Sequence, residues 1–249
     1  MHRGRIALLA ALLLAASVAL AAPSVFLEEL TWTELRDEIR AGKTTVIVPI
    51  GGTEQNGPHM ALGKHNARVR KLAERIATTL GNAIVAPVIA YVPEGAIDPP
   101  TAHMRFPGTI TVPEDVFEKT LESAARSFRR HGFKDVVFLG DHGGYLKSEK
   151  AAATRLNREW TKAPARAHVI EEYYRAAGIT GHADLEDTSL TLALDPGLVR
   201  AQRLGPEAKY TVADGVQGDP RGANVDLGQK TADLIVSRTV DAIRKAVRR

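Results

Sequence analysis

Apolar and polar residues follow two periods along this chain. "TTVIVPI" (44–50) is a short, continuous apolar run, the pattern of a strand buried on both faces. In "ARVRKLAERIATTLG" (67–81), Leu72, Ile76 and Leu80 recur every fourth residue, which predicts an amphipathic helix stopped by Gly81. Ahead of these, "TWTELRDEIRAG" (31–42) reads as a helix, with Thr31 and Glu34 spaced as a capping box and Gly42 as its stop. The same reading places strands at 83–92, 134–144 and 166–174. It places helices at 113–132, opened by Pro113, at 148–160, from Thr188 to Leu194, and over the C-terminal "TADLIVSRTVDAIRKAVRR". Strand and helix alternate at a spacing that implies a mostly parallel sheet covered by helices on both faces. No internal repeat, low-complexity tract or linker interrupts the pattern, so one domain is expected over 22–249. The Pro-rich stretch 93–110 is long for a connection and is expected to serve function.

The first residues follow neither period. "MHRGRIALLAALLLAASVALAAPS" joins a basic start, Arg3 and Arg5, to an apolar run ending in Ala19-Leu20-Ala21. This is the pattern of a secretory signal over 1–21, and the run is short for a membrane span. The expectation is therefore an exported protein, periplasmic or secreted, with no membrane association after cleavage. Removing residues 1–21 of 249 leaves 228 and takes Arg3 and Arg5 with it, so 31 basic residues face 29 acidic ones. That near-neutral balance gives no reason to expect a nucleic-acid partner. Cysteine is absent, which excludes thiolate metal sites and cysteine nucleophiles and leaves stability to the core.

The candidate chemistry lies where strands end. In a parallel sheet, ligands gather outside the carboxyl ends of the strands. "GGTEQNGPHMALGKHN" (51–66) follows one strand and "GDHGG" (140–144) ends another. Glu54, His65 and His142 are oxygen and nitrogen donors of the kind zinc or manganese accepts, and three protein ligands leave a position for water. Asp141 is placed to orient a ligand imidazole, or simply to end its strand. No G-x-S-x-G elbow, P-loop or dinucleotide fingerprint is present. A second cluster, "GHADLEDTSLTLAL" (181–194), holds His182, a candidate proton shuttle, ahead of Glu186 and Asp187. The two acids read equally as helix caps.

Taken in order, "VPIGGTEQNGPHMALGKH", "HMRFPGTITV", "HGFKDVVFLGDHGGY", "GHADLEDTSLTLAL" and "GVQGDPRGA" resemble the creatininase (creatinine amidohydrolase) family over nearly the whole mature chain. The resemblance implies a three-layer α/β/α sandwich and a metal-dependent hydrolase of non-peptide C–N bonds in cyclic or linear amides. It also implies a small-molecule substrate and a homo-oligomer, a hexamer in creatininase itself. Carried over position by position, Glu54 matches the motif's glutamate, His59 its second histidine, His142 its loop histidine and His182 the catalytic histidine. Asp187 stands where the family usually has glutamate, and His103 before "FPGT" matches a frequent histidine position.

Three positions depart. Asn56 replaces the motif's first histidine and His65 its bridging aspartate, and Gly144 stands where creatininase has a further metal-binding glutamate. A pair of dications needs a bridging carboxylate, which a neutral imidazole cannot replace. The expectation is therefore one divalent ion per chain, zinc before manganese or iron, on Glu54, His65 and His142. A metal-activated water would attack the carbonyl, with His182 giving a proton to the leaving nitrogen and Asp187 or Glu186 orienting it. Asn56, His59, His103 and Asp141 are expected to support the site or touch substrate. The alternatives are a metal-dependent lactonase or isomerase, or a catalytically retired binding protein.

Overall fold

The computed structural model describes residues 24–248, so the leader expected over 1–21 lies outside the described residues. The chain runs through α1 (Trp32–Arg40), β1 (Thr45–Ile50), α2 (Lys64–Leu80), β2 (Ala83–Val85), α3 (Glu114–His131) and β3 (Asp135–Gly140). It continues through α4 (Leu146–Glu159), β4 (Arg166–Val169), α5 (Glu171–Ala176), α6 (Leu185–Leu194) and α7 (Val225–Val247). The strands form one sheet in the order β2-β1-β3-β4, and every neighbouring pair is parallel.

Alternation along the central strands builds two cores. Val46, Val48 and Ile50 of β1 join Val136 and Phe138 of β3 beneath Phe117 and Leu121 of α3 and Leu156 of α4. Ile47, Val137 and Leu139 point the other way, onto Leu72 and Ile76 of α2 and Ile235 and Ile243 of α7. The result is helix, sheet, helix in three layers, the creatininase-like sandwich expected from the sequence. Each fully buried Leu or Ile here contributes roughly 1.5–3 kcal/mol of apolar transfer.

The element ends show where local pattern yields to packing. The Thr31 capping box forms, with Glu34 N donating to Thr31 Oγ1 at 3.3 Å and Thr31 N to Glu34 Oε2 at 2.7 Å. The strand expected over 83–92 closes at Val85, because Pro87 has no N–H to donate; pairing returns only at Ile89, whose N donates to Pro49 O at 2.9 Å. The strand expected over 166–174 ends at Val169, and its second half is α5, with Glu171 and Glu172 in the first turn where acids favour a helix start. Helix α6 begins before Thr188, because the Asp184 side chain accepts from Asp187 N at 3.0 Å and caps it. Helix α2 begins at Lys64 rather than at Ala67, which brings Lys64 and His65 into its first turn.

In the order β2-β1-β3-β4 the chain steps from β1 out to β2, then crosses back past β1 to β3 and on to β4, so the topological switch point lies between β1 and β3. The loops after these two strands flank the crevice where ligands gather in such sheets. Glu54 stands on one loop; Asp141 and His142 stand on the other. No described helix is long and apolar enough to cross a membrane.

Candidate metal centre and catalytic cleft

Donor atoms of Glu54, His103 and His142 all lie within 4.8 Å of one another. His103 arrives from the Pro-rich loop, on a short 3-10 turn at Ala102–Arg105. That loop is tied to the Glu54 loop where Ile110 N donates to Thr53 O at 2.9 Å. Glu54 is fully buried, its Oε2 stands 3.5 Å from His103 Nε2, and that oxygen has no hydrogen bond. A buried carboxylate oxygen without a partner is costly, and with two imidazoles beside it the set fits one divalent ion that takes oxygen and nitrogen donors. Two positions that depart from the family's pattern bring no donor to this cluster among the described residues. Asn56 turns away, its Nδ2 donating to Glu54 O at 2.9 Å and Ala61 O at 3.1 Å, and Gly144 brings no side chain.

His65 lies between two carboxylates. Its Nδ1 meets Asp141 Oδ2 at 2.5 Å and its Nε2 meets Glu54 Oε1 at 2.8 Å. A carboxylate on Nδ1 is the usual support of a ligand imidazole, and it turns Nε2 toward Glu54. His103, expected among the substrate contacts, joins Glu54 and His142 in this cluster, and His65 stands beside it on Glu54 Oε1. Asp141 does orient an imidazole, that of His65. It also accepts from Arg68 Nε at 2.9 Å and Nη2 at 2.6 Å, and from the Tyr173 hydroxyl at 2.5 Å.

Asp187 is buried against two cations, with Lys64 Nζ on one oxygen and Arg68 Nη1 on the other, and it accepts from Ala183 N at 2.8 Å. Burial opposes its ionisation, but Lys64 and then Arg68 outweigh burial and hold it well below the usual carboxylate range. Capping falls to Asp184, and Glu186 makes no hydrogen bond or ion pair among the described residues. Neither Asp187 nor Glu186 is hydrogen-bonded to His182, whose Nε2 instead lies 2.9 Å from the main-chain oxygen of Gln55. The Gln55 side-chain amide Nε2 also lies 3.1 Å from that ring nitrogen, and Nδ1 is 3.7 Å from Glu54 Oε1. Paired backbone bonds with Gln217, 2.9 and 2.8 Å, hold the His182 loop, and Ala183 next to it takes a left-handed φ of 55°. For a residue with a Cβ that conformation is strained, and it persists because Gln217 and Asp187 fix both sides of it. Gly215 of "GVQGD" also has a physical requirement: with a φ of 77°, a Cβ there would collide with the Gln55 side chain.

The electrostatics follow from burial and charge. Burial would raise Glu54, but His65, then His142 and Lys64, hold it well below its ordinary value. Burial lowers His142 to about 4 and His182 to about 3, so both rings are neutral at pH 7. Glu94, beside Tyr145 Oη, is pushed up to about 9 by burial and then by the charge of Glu54. His59 lies apart from the centre, its Nε2 3.0 Å from Thr188 Oγ1 and its ring stacked on Tyr210.

A cavity of about 260 Å³ opens onto His103, His142, His182, Lys64 and Gln217. A second cavity, of about 190 Å³, shares His103, His182 and Gln217 as walls. Lys64, Arg68, Gln55, Glu94 and Tyr173 were missed by sequence reasoning. For Arg68 a signal exists: it stands four residues before Leu72 on the buried stripe of α2, where a cation requires a buried partner.

Fold and site together define a class, a three-layer α/β/α protein with a carboxylate–imidazole centre at the switch point of its parallel sheet. The chain belongs to the creatininase family, whose model, described as creatinine amidohydrolase, matches residues 28–243. Members of this family are metal-dependent amidohydrolases. The chain is similar to the creatinine amidohydrolase of Pseudomonas putida, 27% identical over 258 aligned positions that cover 89% of this chain and 97% of that one. It is also similar to the mycofactocin precursor peptide peptidase of Mycolicibacterium smegmatis, 27% identical across 80% of this chain and 84% of that one. A crystal structure of creatinine amidohydrolase superposes with a TM-score of 0.78 at 25% identity, covering 92% of this chain and all of that one. Solved creatininases at the same identity include a manganese form and a Zn–Zn form, with TM-scores of 0.75 and 0.72.

Proposed function

We propose that this chain hydrolyses a C–N bond in a small polar molecule, a cyclic or linear amide, with one divalent ion held by Glu54, His103 and His142. The observation that carries the reading is the convergence of Glu54, His103 and His142 donors within 4.8 Å at the switch-point crevice, with no hydrogen bond to Glu54 Oε2 among the described residues. When bound, the ion supplies Lewis acidity to a carbonyl and an activated water. Zinc is the first expectation, and a donor set of one carboxylate and two imidazoles suits manganese as well. The chain's own residues do the rest. His65 braces Glu54 and is itself held by Asp141, which Arg68 and Tyr173 fix in turn. His182 meets the cavity as a neutral ring held by Gln55, so it can take a proton from the attacking water and return it to the leaving nitrogen. Gln55, rather than Asp187 or Glu186, orients that ring.

The cavity bounds the substrate to a small, polar molecule, and the adjoining second cavity leaves room on the far side of the scissile bond. A short peptide end therefore belongs among the trial substrates, as the similarity to a peptidase also suggests. The test combines metal analysis of the purified chain with a panel of lactams, ureas, formamides, lactones and short peptides, before and after chelation. Turnover of an amide that chelation removes and metal restores is the expected result. Turnover of lactones alone would make the protein a lactonase. A chain that takes up no metal yet binds one of these molecules tightly would be a retired binding protein.

A further inference from the structure

Lys64 is a charged group in the cavity wall to which the proposed mechanism gives no task. Its side chain is 1% exposed, it stands in the first turn of α2, and its Nζ lies on Asp187 Oδ2 while Arg68 occupies the other oxygen. It lines the same cavity as His103, His142 and His182. Burying a lysine for stability alone is a poor arrangement, because an apolar pair of similar volume is often as stable. A buried cation facing a polar cavity instead contributes charge to whatever the cavity holds. Without Lys64, Asp187 would keep only Arg68, which it shares with Asp141, and its Oδ2 beside the centre would attract a cation from solution.

We infer that Lys64 is the built-in second cation of this centre: with Asp187 as its counter-ion, its ammonium takes the charge position that a second divalent ion would hold, and limits the site to one exchangeable metal. The inference rests on the reading of Glu54, His103 and His142 as the metal site. It agrees with the loss of second-ion donors at Asn56, His65 and Gly144, and gives that loss a compensating residue.

Crystals of the purified chain soaked in excess Mn²⁺ and mapped by anomalous scattering test both readings. One peak per chain, ringed by Glu54, His103 and His142 with Lys64 still on Asp187, is the expected result. Two peaks overturn the inference and leave the hydrolase reading standing. No peak overturns the metal reading itself, and the inference with it. Calorimetric titration with Mn²⁺ then isolates the charge. Lys64→Gln should tighten binding about tenfold or more, Asp187→Asn should weaken it by a similar factor, and the double variant should return close to the wild type. Lys64→Arg should leave the affinity nearly unchanged. If all the variants bind Mn²⁺ as the wild type does and differ only in melting temperature, the pair is structural and the inference fails. The double variant leaves neither charge unpaired, so it supplies a folded reference, and the anomalous map decides the matter even if a single variant does not fold.

Discussion

On one side of the cleft, Glu54, His103 and His142 turn donors toward a common point, and Glu54 Oε2 has no hydrogen bond. On the other side, every carboxylate oxygen is engaged: Asp141 by His65, Arg68 and Tyr173, and Asp187 by Lys64, Arg68 and the Ala183 amide. Both halves bury carboxylates at the ends of the same parallel strands or beside them, and both keep those carboxylates ionised. They differ in where the balancing cation comes from. The first half leaves one carboxylate oxygen, Glu54 Oε2, without a hydrogen bond among the described residues, and the second has cations of the chain on its oxygens. On the proposed function, the first half depends on metal for activity and the second on its pairs for stability.

The largest effect that would break this contrast is on the open side. Glu54→Ala should take metal content from one ion per chain to none and lower activity by about 10⁴-fold or more, the scale of a lost metal-activated water. Metal retained in this variant would move the site elsewhere. His182→Ala should keep the metal and lower kcat by about 10²–10³-fold, as expected for a lost proton carrier. Metal analysis and turnover of one preparation separate these two outcomes, and loss of metal in both variants would make His182 a ligand rather than a carrier.

Asp141→Asn probes the closed side. It leaves Arg68 and His65 without their shared anion in a site 3% exposed, so urea unfolding should show a loss of about 3 kcal/mol. Metal affinity should change less than stability. If affinity collapsed while stability held, the two halves would be one electrostatic unit and the contrast would be wrong.

The same contrast explains what the sequence disclosed. The sheet was legible because β1 and β3 are buried on both faces and read as continuous apolar runs between helices of clear period. Glu54 and His142 were legible because each closely follows such a run. His103 was harder to place, since its position in the donor set depends on how a long Pro-rich loop folds back onto Thr53. The paired half left fainter marks. Tyr173 lay in a segment with a strand-like composition, and only its helical turn brings the hydroxyl to Asp141. Lys64 stood ahead of the first apolar residue of its helix, where no period could reveal it. Arg68 did interrupt a stripe, but its partners Asp141 and Asp187 are distant in sequence, and only the tertiary fold joins them. Donors that follow strands are therefore announced locally, whereas a buried ion pair is known only once both partners are placed.

The smallest expected effect lies outside the cleft, in a carboxylate with neither kind of cation. Glu149 of α4 is buried with no hydrogen bond to its Oε1, and burial, then the charge of Glu171, push it from 4.5 up to about 8. The folded chain therefore holds a proton between those pH values that the unfolded chain has released. The stability this group contributes is complete below 4.5 and is lost as pH rises through 8. His59 has the opposite sign: burial lowers it from 6.5 to about 4, so its contribution is present above 6.5 and lost as pH falls through 4. Glu149→Gln removes the first dependence without touching the centre. Measured by urea unfolding, its stability relative to the wild type should be greater at pH 8.5 than at pH 6 by about 1–3 kcal/mol. Asp141 and Asp187, held low by their cations, should give no such alkaline gain when replaced. An equal difference at both pH values would mean that Glu149 has a cation of its own in solution, and it would then belong with the paired carboxylates rather than stand apart from them.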